Sequence, residues 1–286
     1  MFFRYVYKGP TTLICAILCS LIIAGCFLTR AGDSEEALPF ESPIIIELTQ
    51  QLSASDRLFV LKCRTEKEYP SLPYRILTTS TVAGNTVMVR FHGIDGSNAV
   101  FLAFDYARAQ IEFPGLSPGN YNLMFLVSSY PITGRMEVTE SGWEIILSPN
   151  NWIILPRSKL HRMPNNVIWG RAEYTSESNR PIIDAFYDSL GTCGASAGSW
   201  AIGDYGQFTI NTDGNIGPLH TDPGVGFGGR RFNEWFIRQY MEAPETLRDL
   251  IKQIGEAHGD SVSVSLNLSD GTCYASHLHE IYPGSW

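Results

Sequence analysis

The feature that most constrains this fold is a stretch from residue 44 to about residue 155, in which short β-prone segments alternate with turn signals. Aliphatic, β-branched and aromatic residues dominate the segments, as is typical of strands. Turn-forming residues separate them, as in Asp95-Gly96-Ser97 and Ser117-Pro118-Gly119-Asn120. The candidate strands cover residues 44–48, 57–63, 86–91, 99–104, 121–127, 134–138, 143–147 and 152–155. Their regular spacing predicts a mainly β domain over residues 44–156, built as an antiparallel β-sandwich.

One turn in this stretch carries a family resemblance. Leu116-Ser117-Pro118-Gly119-Asn120-Tyr121-Asn122-Leu123 resembles the turn and following strand of many immunoglobulin-like and fibronectin-like modules. The resemblance implies an immunoglobulin-like architecture and says nothing about activity.

From residue 157 to residue 286 the pattern changes to that of an α+β domain. Pro181 can open a helix that ends at Gly191, and Pro244 can open another that ends at Gly259. The other elements that we expect are a hairpin or strand pair over residues 200–210 with its turn at residues 211–215, a helical stripe of Phe232, Trp235, Phe236 and Tyr240, and a strand over residues 262–268.

The boundary between the two domains is expected in residues 156–166. This segment contains two prolines and a basic cluster, made of Arg157, Lys159, His161 and Arg162. The cluster could dock an acidic partner or lipid headgroups, but a solvated linker is the simpler interpretation.

Two registers are open for the hairpin that follows residue 268. A two-residue turn would place Leu268 opposite Cys273. A three-residue turn, with Gly271 in the left-handed conformation, would place Leu268 opposite Thr272. We expect the three-residue turn, because it adds Tyr274 to the apolar side of the strand pair.

The first 26 residues have the layout of a secretory signal. Arg4 and Lys8 form a basic start, and an apolar run leads to small residues that a signal protease accepts at its cleavage site. Ile23-Ala24-Gly25-Cys26 then resembles the lipobox of bacterial lipoproteins. This resemblance covers residues 1–26 only, and it implies cleavage after residue 25 and acylation of the Cys26 thiol. An uncleaved transmembrane anchor over residues 11–28 is the alternative.

The lipobox resemblance implies a membrane-bound protein, since two or more acyl chains hold a protein stably on a bilayer. In that family an aspartate after the cysteine often signals retention at the inner membrane, and this chain has Phe27. The expected location is therefore the outer membrane, facing the periplasm, if the source is Gram-negative. Residues 26–43 are polar and carry Pro39 and Pro43, so we expect a tether there.

Cysteine usage predicts one disulfide. Two cysteines would leave with the signal and Cys26 would carry lipid, so three would remain in an oxidising compartment. We expect Cys193 to pair with Cys273 because both lie in the C-terminal domain, and Cys63 to be left over. A metal site is the competing use, but no Cys-x-x-Cys spacing supports it.

The charge balance argues against nucleic acid as a partner. The chain has 29 acidic and 21 basic side chains, a net charge of −8, and no long basic tract. Gly224-Val225-Gly226-Phe227-Gly228-Gly229 contains the Gly-x-Gly-x-x-Gly of nucleotide-binding loops, but no strand precedes it and no βαβ unit surrounds it. We interpret it as a flexible loop and expect no cofactor.

Two motifs could carry chemistry. Gly194-Ala195-Ser196-Ala197-Gly198 matches the Gly-x-Ser-x-Gly of serine hydrolases, with His277 or His279 available as the base. That mechanism needs a strand before the serine and a helix after it, whereas here a helix comes first. His277 and His279 could also hold a metal with Cys273, but the expected register turns both histidines outward and no third ligand is evident.

These observations predict a lipid-anchored envelope protein that acts by binding another protein. An immunity-type inhibitor of a toxin and an accessory subunit of an envelope assembly are the two concrete forms of this role. The alternative is an envelope hydrolase that uses Ser196 with a histidine, or a metal held by His277 and His279.

Overall fold

The computed structural model describes residues 37–54, 56–70, 74–96, 104–219 and 232–276. The strands are β1 (Ile44–Leu52), β2 (Arg57–Tyr69), β3 (Arg75–Ala83), β4 (Thr86–Asp95), β5 (Asp105–Phe113), β6 (Gly119–Val127), β7 (Tyr130–Thr139), β8 (Gly142–Leu147), β9 (Ile153–Ile154), β10 (Lys159–His161), β11 (Val167–Tyr174), β12 (Gly203–Asp204), β13 (Phe208–Ile210), β14 (Ile216–Pro218), β15 (Phe232–Gln239), β16 (Val262–Leu268) and β17 (Cys273–Ala275). The helices are α1 (Arg180–Thr192) and α2 (Pro244–His258), and a 3-10 turn (Glu177–Asn179) precedes α1. Neither α-helix of these residues is long and apolar enough to cross a membrane.

Ten strands form one large sheet in the order β10-β8-β7-β6-β4-β3-β5-β2-β1-β9. Hairpins such as β3–β4, closed by the two-residue loop Gly84-Asn85, supply most of the neighbours. Gly84 has a φ of +56°, a backbone conformation that glycine adopts at little cost. Parallel pairs join β4 to β6, β3 to β5 and β1 to β9. The prediction of a mainly β architecture is confirmed.

The large sheet curls around a single core. Alternate side chains of its strands point inward and are buried. Phe59 of β2 packs against Phe113 of the neighbouring β5, with ring centroids 5.8 Å apart, and stacks on Trp143 of β8 at 5.2 Å. Because β2 and β8 lie near opposite ends of the sheet order, the Phe59–Trp143 contact requires the sheet to bend back on itself.

The immunoglobulin-like sandwich is not confirmed. All ten strands are joined into one sheet, with three parallel pairs, rather than into two facing antiparallel sheets. The sheet also continues past the expected domain boundary at residue 156, because β10 pairs with β8. Of the expected strands, the one over residues 99–104 falls almost wholly outside the described residues.

The described part of the expected tether, residues 37–43, is packed on the large sheet. Leu38 and Ile94 exchange two backbone hydrogen bonds of 2.9 Å each, and Phe40 is buried in the core of the large sheet. An apolar side chain in the segment therefore fixes it against β4.

The C-terminal region has its own four-stranded sheet, in the order β15-β11-β16-β17. Both helices pack on one of its faces, which we call the helix face. The expected helices over α1 and α2 are confirmed, including their apolar faces with Ile183, Phe186 and Leu190 and with Leu247, Ile251 and Ile254.

The predicted helical stripe with Phe232 and Tyr240 is wrong, because this segment is strand β15. Its residues alternate: Phe236 faces the helices and packs edge-on against Phe186 at 5.6 Å, whereas Ile237 faces the other side of the sheet. The spacing of aromatic residues fits both a helix and a strand buried on two faces, and pairing with β11 decides for the strand.

The expected three-residue turn between β16 and β17 is confirmed. Leu268 N donates to Thr272 O at 2.8 Å, and Gly271 has a φ of +90°. Tyr274 lies opposite Leu266 and joins the apolar side that faces the helices. Residues opposite each other share a face, so Cys273, opposite Asn267, points to the other side.

A small third sheet separates the two larger ones. It consists of β12, β13 and β14, and the expected turn over residues 211–215 joins its last two strands. Phe208 is fully buried, with Tyr205 at 5.1 Å and Trp169 of the four-stranded sheet at 5.5 Å. On the other side, Thr49, on the outer face of β1, donates to Gly206 O at 3.3 Å. The small sheet therefore acts as a wedge between the outer face of the large sheet and the four-stranded sheet.

Candidate functional site

Ser196 lies in an exposed segment after α1 that does not have the geometry of a nucleophile turn. It forms an isolated antiparallel bridge with Gln239 of β15, through two backbone hydrogen bonds of 2.9 Å. A helix precedes it and no helix follows before residue 219. In the described part of the chain, no side chain contacts its hydroxyl as a base would.

Cys193 and Cys273 are both free thiols, and the structure does not bring them together. Cys193 caps the end of α1 on the helix face of the four-stranded sheet. Cys273 lies in a row with Asn267 and Trp169 on the opposite face. The sheet itself separates the two sulfur atoms. Cys63 is also free and is buried in the core of the large sheet.

Other predicted site residues lie outside the described residues. These are Cys26, His277, His279 and the glycine-rich segment over residues 224–229. Within the described ranges, no group of three or more histidine, cysteine, aspartate or glutamate side chains could hold a metal ion.

The basic cluster of residues 157–162 does not form one patch. Arg157 pairs with Asp204 at 3.2 Å, and the His161 ring stacks on Tyr205 at 5.2 Å between centroids. Arg162 lies over the Trp143 ring, 4.5 Å from its centroid. Arg157 and His161 therefore contact the wedge, and Arg162 contacts the core of the large sheet.

The most unusual feature of the described chain is a split in the large sheet between β3 and β5, which we call the seam. The two parallel strands pair only at Arg75 and Arg108, where Arg108 N donates to Tyr74 O at 3.3 Å. Beyond that point no residue of one strand pairs with the other, and a cleft of about 660 Å³ lies around the joined end. On their other sides both strands are paired along their length, β3 with β4 and β5 with β2.

Beyond this single pair, both strands have edges that face the seam. On β3 the pairing with β4 uses the backbone groups of alternate residues, so those of Thr78, Ser80 and Val82 point into the seam. On β5 the groups of Gln110 and Glu112 do the same. Among described residues, no strand pairs with these groups. Such an edge is a template for another strand.

The side chains of β3 at the seam are uncharged. Residues 76–83 read Ile-Leu-Thr-Thr-Ser-Thr-Val-Ala, a β-prone run without charge or proline. Val82 is 46% exposed although its partner on β4, Val87, is fully buried. The core of the large sheet is therefore incompletely covered beside β3.

Three arginines form a row across the joined end of the seam. Arg64 of β2 lies opposite Arg108 of β5, and Arg108 lies opposite Arg75 of β3. Adjacent strands are about 4.8 Å apart, so the backbones of the three arginines lie within about 10 Å of one another. Like charges in direct opposition are destabilising. Asp95, opposite Arg75 on β4, is the acidic residue that ends the row.

Two nearby groups partly offset this charge. Asp105 accepts from Arg108 at 2.7 Å, and this hydrogen bond lowers the pKa of the carboxyl group. The Tyr106 ring lies under Arg64 at 4.6 Å and near Arg108 at 5.8 Å. Arg108 and Arg75 remain exposed to solvent. The row is thus a place where an anion would be attracted.

Sequence reasoning missed the seam. β3 and β5 were not among the expected strands, because neither alternates apolar and polar residues over its whole length. The three arginines are far apart in the chain and become neighbours only through strand pairing. The one local signal is the uncharged run in β3, which is β-prone and exposed.

No protein family, curated protein or solved structure matches this chain.

Proposed function

We propose that this protein is a lipid-anchored envelope protein that binds a partner protein by taking an extended, acidic segment into the seam. The observation that carries the proposal is that β3 and β5 pair at a single pair of residues, Arg75 and Arg108. The three-arginine row lies at this pair, and the open strand edges begin on one side of it. The lipid anchor rests on the lipobox resemblance at Cys26.

Strand addition explains why the β3 edge is so long and uncharged. The terminal strands of the large sheet, β9 and β10, contain two and three residues, and short edges resist unwanted pairing. The open part of β3 is neither short nor charged. A partner strand would pair with the backbone of Thr78, Ser80 and Val82 and would cover the exposed Val82 side chain.

The charge of the seam selects the partner segment. The chain as a whole is acidic, yet Arg64, Arg75 and Arg108 lie together at the joined end of the seam. A segment with carboxylates at that end would neutralise the like charges, and guanidinium groups bind carboxylates with two parallel hydrogen bonds. We therefore expect acidic residues at one end of the segment and β-branched residues along the rest.

Of the two roles suggested by the sequence, the seam favours the accessory subunit of an envelope assembly. Strand addition joins subunits through backbone pairing, in which the strand of one chain completes the sheet of another. A toxin inhibitor would more simply bind its target through a surface without open strand edges.

The test uses synthetic ten-residue peptides and the full chain purified in detergent. One peptide carries three glutamates at its C-terminal end after alternating valine and threonine, one carries them at its N-terminal end, and one carries lysines instead. We expect one acidic peptide to bind and the lysine peptide to fail, measured by fluorescence polarisation. The acidic peptide that binds gives the direction of the added strand, since its charged end must reach the arginine row.

Ser80→Pro is the decisive variant. It removes a backbone N–H that faces the seam and leaves the pairing of β3 with β4 intact, so edge-strand geometry tolerates it. We expect it to weaken binding of the acidic peptide at least about tenfold, because one or more backbone hydrogen bonds are lost. Ser80→Ala is the matched control and should bind normally. Unchanged binding by Ser80→Pro, with a native circular dichroism spectrum, would refute strand addition.

A photo-crosslinking residue at Thr78 extends the test to cells. We expect it to trap a partner in a defined adduct that Ser80→Pro abolishes, and the same residue at Asn122 on β6 to trap none. A homodimer adduct would replace the partner with a second copy and would contradict the proposal.

Lipid attachment is tested separately. Cys26→Ser should abolish labelling with an alkyne fatty acid and move the protein from the membrane fraction to the soluble fraction. Retention of Cys26→Ser in the membrane would favour the transmembrane anchor instead.

A further inference from the structure

A second cleft lies between the large sheet and the four-stranded sheet, and we call it the inter-sheet cleft. Its volume is about 750 Å³. The wedge fills one end of the space between the two sheets with Phe208 and its neighbours. At the other side, the turn at Gly271 packs against β1, where a Cβ on Gly271 would meet Leu52 O at 2.7 Å. The cleft is the gap left between these two contacts.

Its walls are sheet faces rather than strand edges. One wall is the outer face of β1 and β2, with Thr49 and Gln51. The facing wall is a row across three strands, formed by Trp169, Asn267 and Cys273. Side chains, not backbone groups, therefore point into the cleft.

Apart from Lys62 and Asp270, the polar side chains of the walls are neutral, and amides are prominent among them. Gln51, Gln207 and Asn267 line the cleft, and in the described part of the chain no hydrogen bond engages the side-chain amide of any of them. By contrast, Gln50 next to them uses both ends of its amide, donating to His161 O and Tyr205 O and accepting from Met163 N. Each unused amide can donate two hydrogen bonds and accept two.

From these observations we infer that the inter-sheet cleft binds a neutral saccharide that carries acetamido groups. Such a ligand offers hydroxyls that both donate and accept, and amides that pair directly with the amides of Gln51, Gln207 and Asn267. A cleft of about 750 Å³ is within the size range of small-molecule sites and would hold two or three sugar rings. This inference goes beyond the proposed protein binding at the seam.

A peptide fits this cleft less well. Extended peptides gain affinity by pairing their backbone with a strand edge, and here the walls are faces. Trp169, the largest apolar side chain of the lining, is only 3% exposed and so offers little surface to a peptide side chain. The amides stand on three separate elements, β1, the turn between β12 and β13, and β16, an arrangement that suits a ligand with polar groups on all sides.

The probe is chitotetraose, a tetramer of N-acetylglucosamine, measured by isothermal titration calorimetry with the full chain in detergent. Cellotetraose is the matched ligand control, because it has the same linkage and carries a hydroxyl in place of each acetamido group. We expect chitotetraose to bind at least about tenfold more tightly than cellotetraose. Equal binding of the two sugars, or no binding of chitotetraose, would overturn the inference.

Asn267→Ala and Gln207→Ala are the site variants. Each should weaken the binding of chitotetraose at least about fivefold, because polar groups of the ligand are left unpaired. Asn122→Ala removes an exposed amide from the outer face of β6 and should bind normally. Asn267→Ser keeps a small polar side chain and serves if the alanine variant unfolds. If none of the site variants changes the affinity, the saccharide binds elsewhere and the assignment is wrong.

Cys273 offers an independent readout, because its thiol lines the cleft. Burial raises the pKa of this thiol, so its alkylation at neutral pH should be slow and should accelerate as the pH rises. Saturating chitotetraose should slow the alkylation of Cys273 at least about fivefold and leave Cys193 unaffected. Equal effects on both thiols, or none, would contradict binding in this cleft. The acidic-peptide assay at the seam does not depend on this result, so each proposal can fail alone.

Discussion

The seam and the inter-sheet cleft lie side by side and share Lys62 and Gln110 in their linings, yet they are built from opposite parts of β-structure. Strand edges border the seam, so it presents backbone groups in a fixed direction. Sheet faces border the inter-sheet cleft, so it presents side chains. An edge can bind an extended chain of varied sequence, whereas a face can distinguish functional groups.

Their charges differ in the same way. The seam concentrates three arginines, which attract ligands over several ångströms and are screened by salt. The amides of the inter-sheet cleft act only at hydrogen-bond distance. Two adjacent sites of this kind should respond to different perturbations, and four predictions test whether they do.

The largest effect should come from Phe208→Ala. Phe208 is fully buried in the wedge against Trp169 and Tyr205, and truncation of such a ring costs about 3 to 5 kcal/mol. We expect urea unfolding to show this loss in the wedge and the four-stranded sheet, with saccharide binding abolished and acidic-peptide binding retained. Met241→Ala, at a side chain that is 77% exposed, is the control and should change nothing. Loss of saccharide binding and acidic-peptide binding together would mean that the two sites are not separable.

Gly271→Ala and Gly84→Ala compare two glycines of positive φ, one in the turn beside the inter-sheet cleft and one in the hairpin loop at the far end of β3. Gly84→Ala should cost about 1 to 2 kcal/mol from the left-handed backbone alone, since no atom lies within 4 Å of its added Cβ. Gly271→Ala adds a clash with Leu52 O and should cost about 2 to 4 kcal/mol. Thermal unfolding measures the order. A larger loss for Gly84→Ala would show that the turn at Gly271 does not hold the inter-sheet cleft.

Salt should separate the ligands. Raising the sodium chloride concentration from 0.05 M to 0.5 M should weaken the acidic peptide about tenfold, because the Debye length falls below the spacing of the arginine row. Chitotetraose affinity should stay within about twofold, since the amides that bind it are neutral. Parallel titrations of the same protein sample give both values. A salt-insensitive peptide would remove the arginine row from the binding model.

The smallest effect concerns Asp105, which competes with a ligand for Arg108. Asp105→Asn should raise the affinity for the acidic peptide about threefold, which corresponds to the energy of an exposed ion pair. Because Arg108 lowers the pKa of Asp105, this carboxylate stays charged as the pH falls, whereas glutamates of the peptide protonate near pH 4.3. Peptide binding should therefore decline below about pH 4.5 by the same factor in both proteins, because the competition from Asp105 does not change while it stays charged. A pH series of polarisation measurements checks both statements.

The elements that could be predicted from sequence are those whose apolar pattern is complete within one segment. The helices that begin near Pro181 and Pro244, and the hairpin register set by Gly271, are of this kind. In each, a capping or turn residue and an apolar face agree on one structure.

The failures share a different cause, which is dependence on partners distant in the chain. The β15 segment is apolar on two faces because a sheet separates the helices from the wedge, and its spacing then imitates a helix. The Cys193–Cys273 pairing conflicts with the hairpin register that was predicted beside it. With Tyr274 facing the helices, Cys273 must face away from α1, and α1 ends at Cys193. The sequence contained both facts, but not the face on which α1 packs.

Neither cleft could be predicted from the sequence. Arg64, Arg75 and Arg108 become a row only after three strands are aligned, and Asn267 meets Gln51 only across two sheets. Local patterns report burial and turns; they do not report which faces or edges meet.

The backbone pairing of Leu38 with Ile94 sets the maximum distance between Cys26 and the folded part of the protein. If Cys26 carries the lipid, twelve residues separate the acylated residue from this clamp, a maximum reach of about 40 Å. Ile94 lies at one end of β4 and the hairpin loop at Gly84 lies at the other, about 30 Å further on. A partner that engages β3 would then be met within about 70 Å of the bilayer surface, which limits it to membrane-proximal structures.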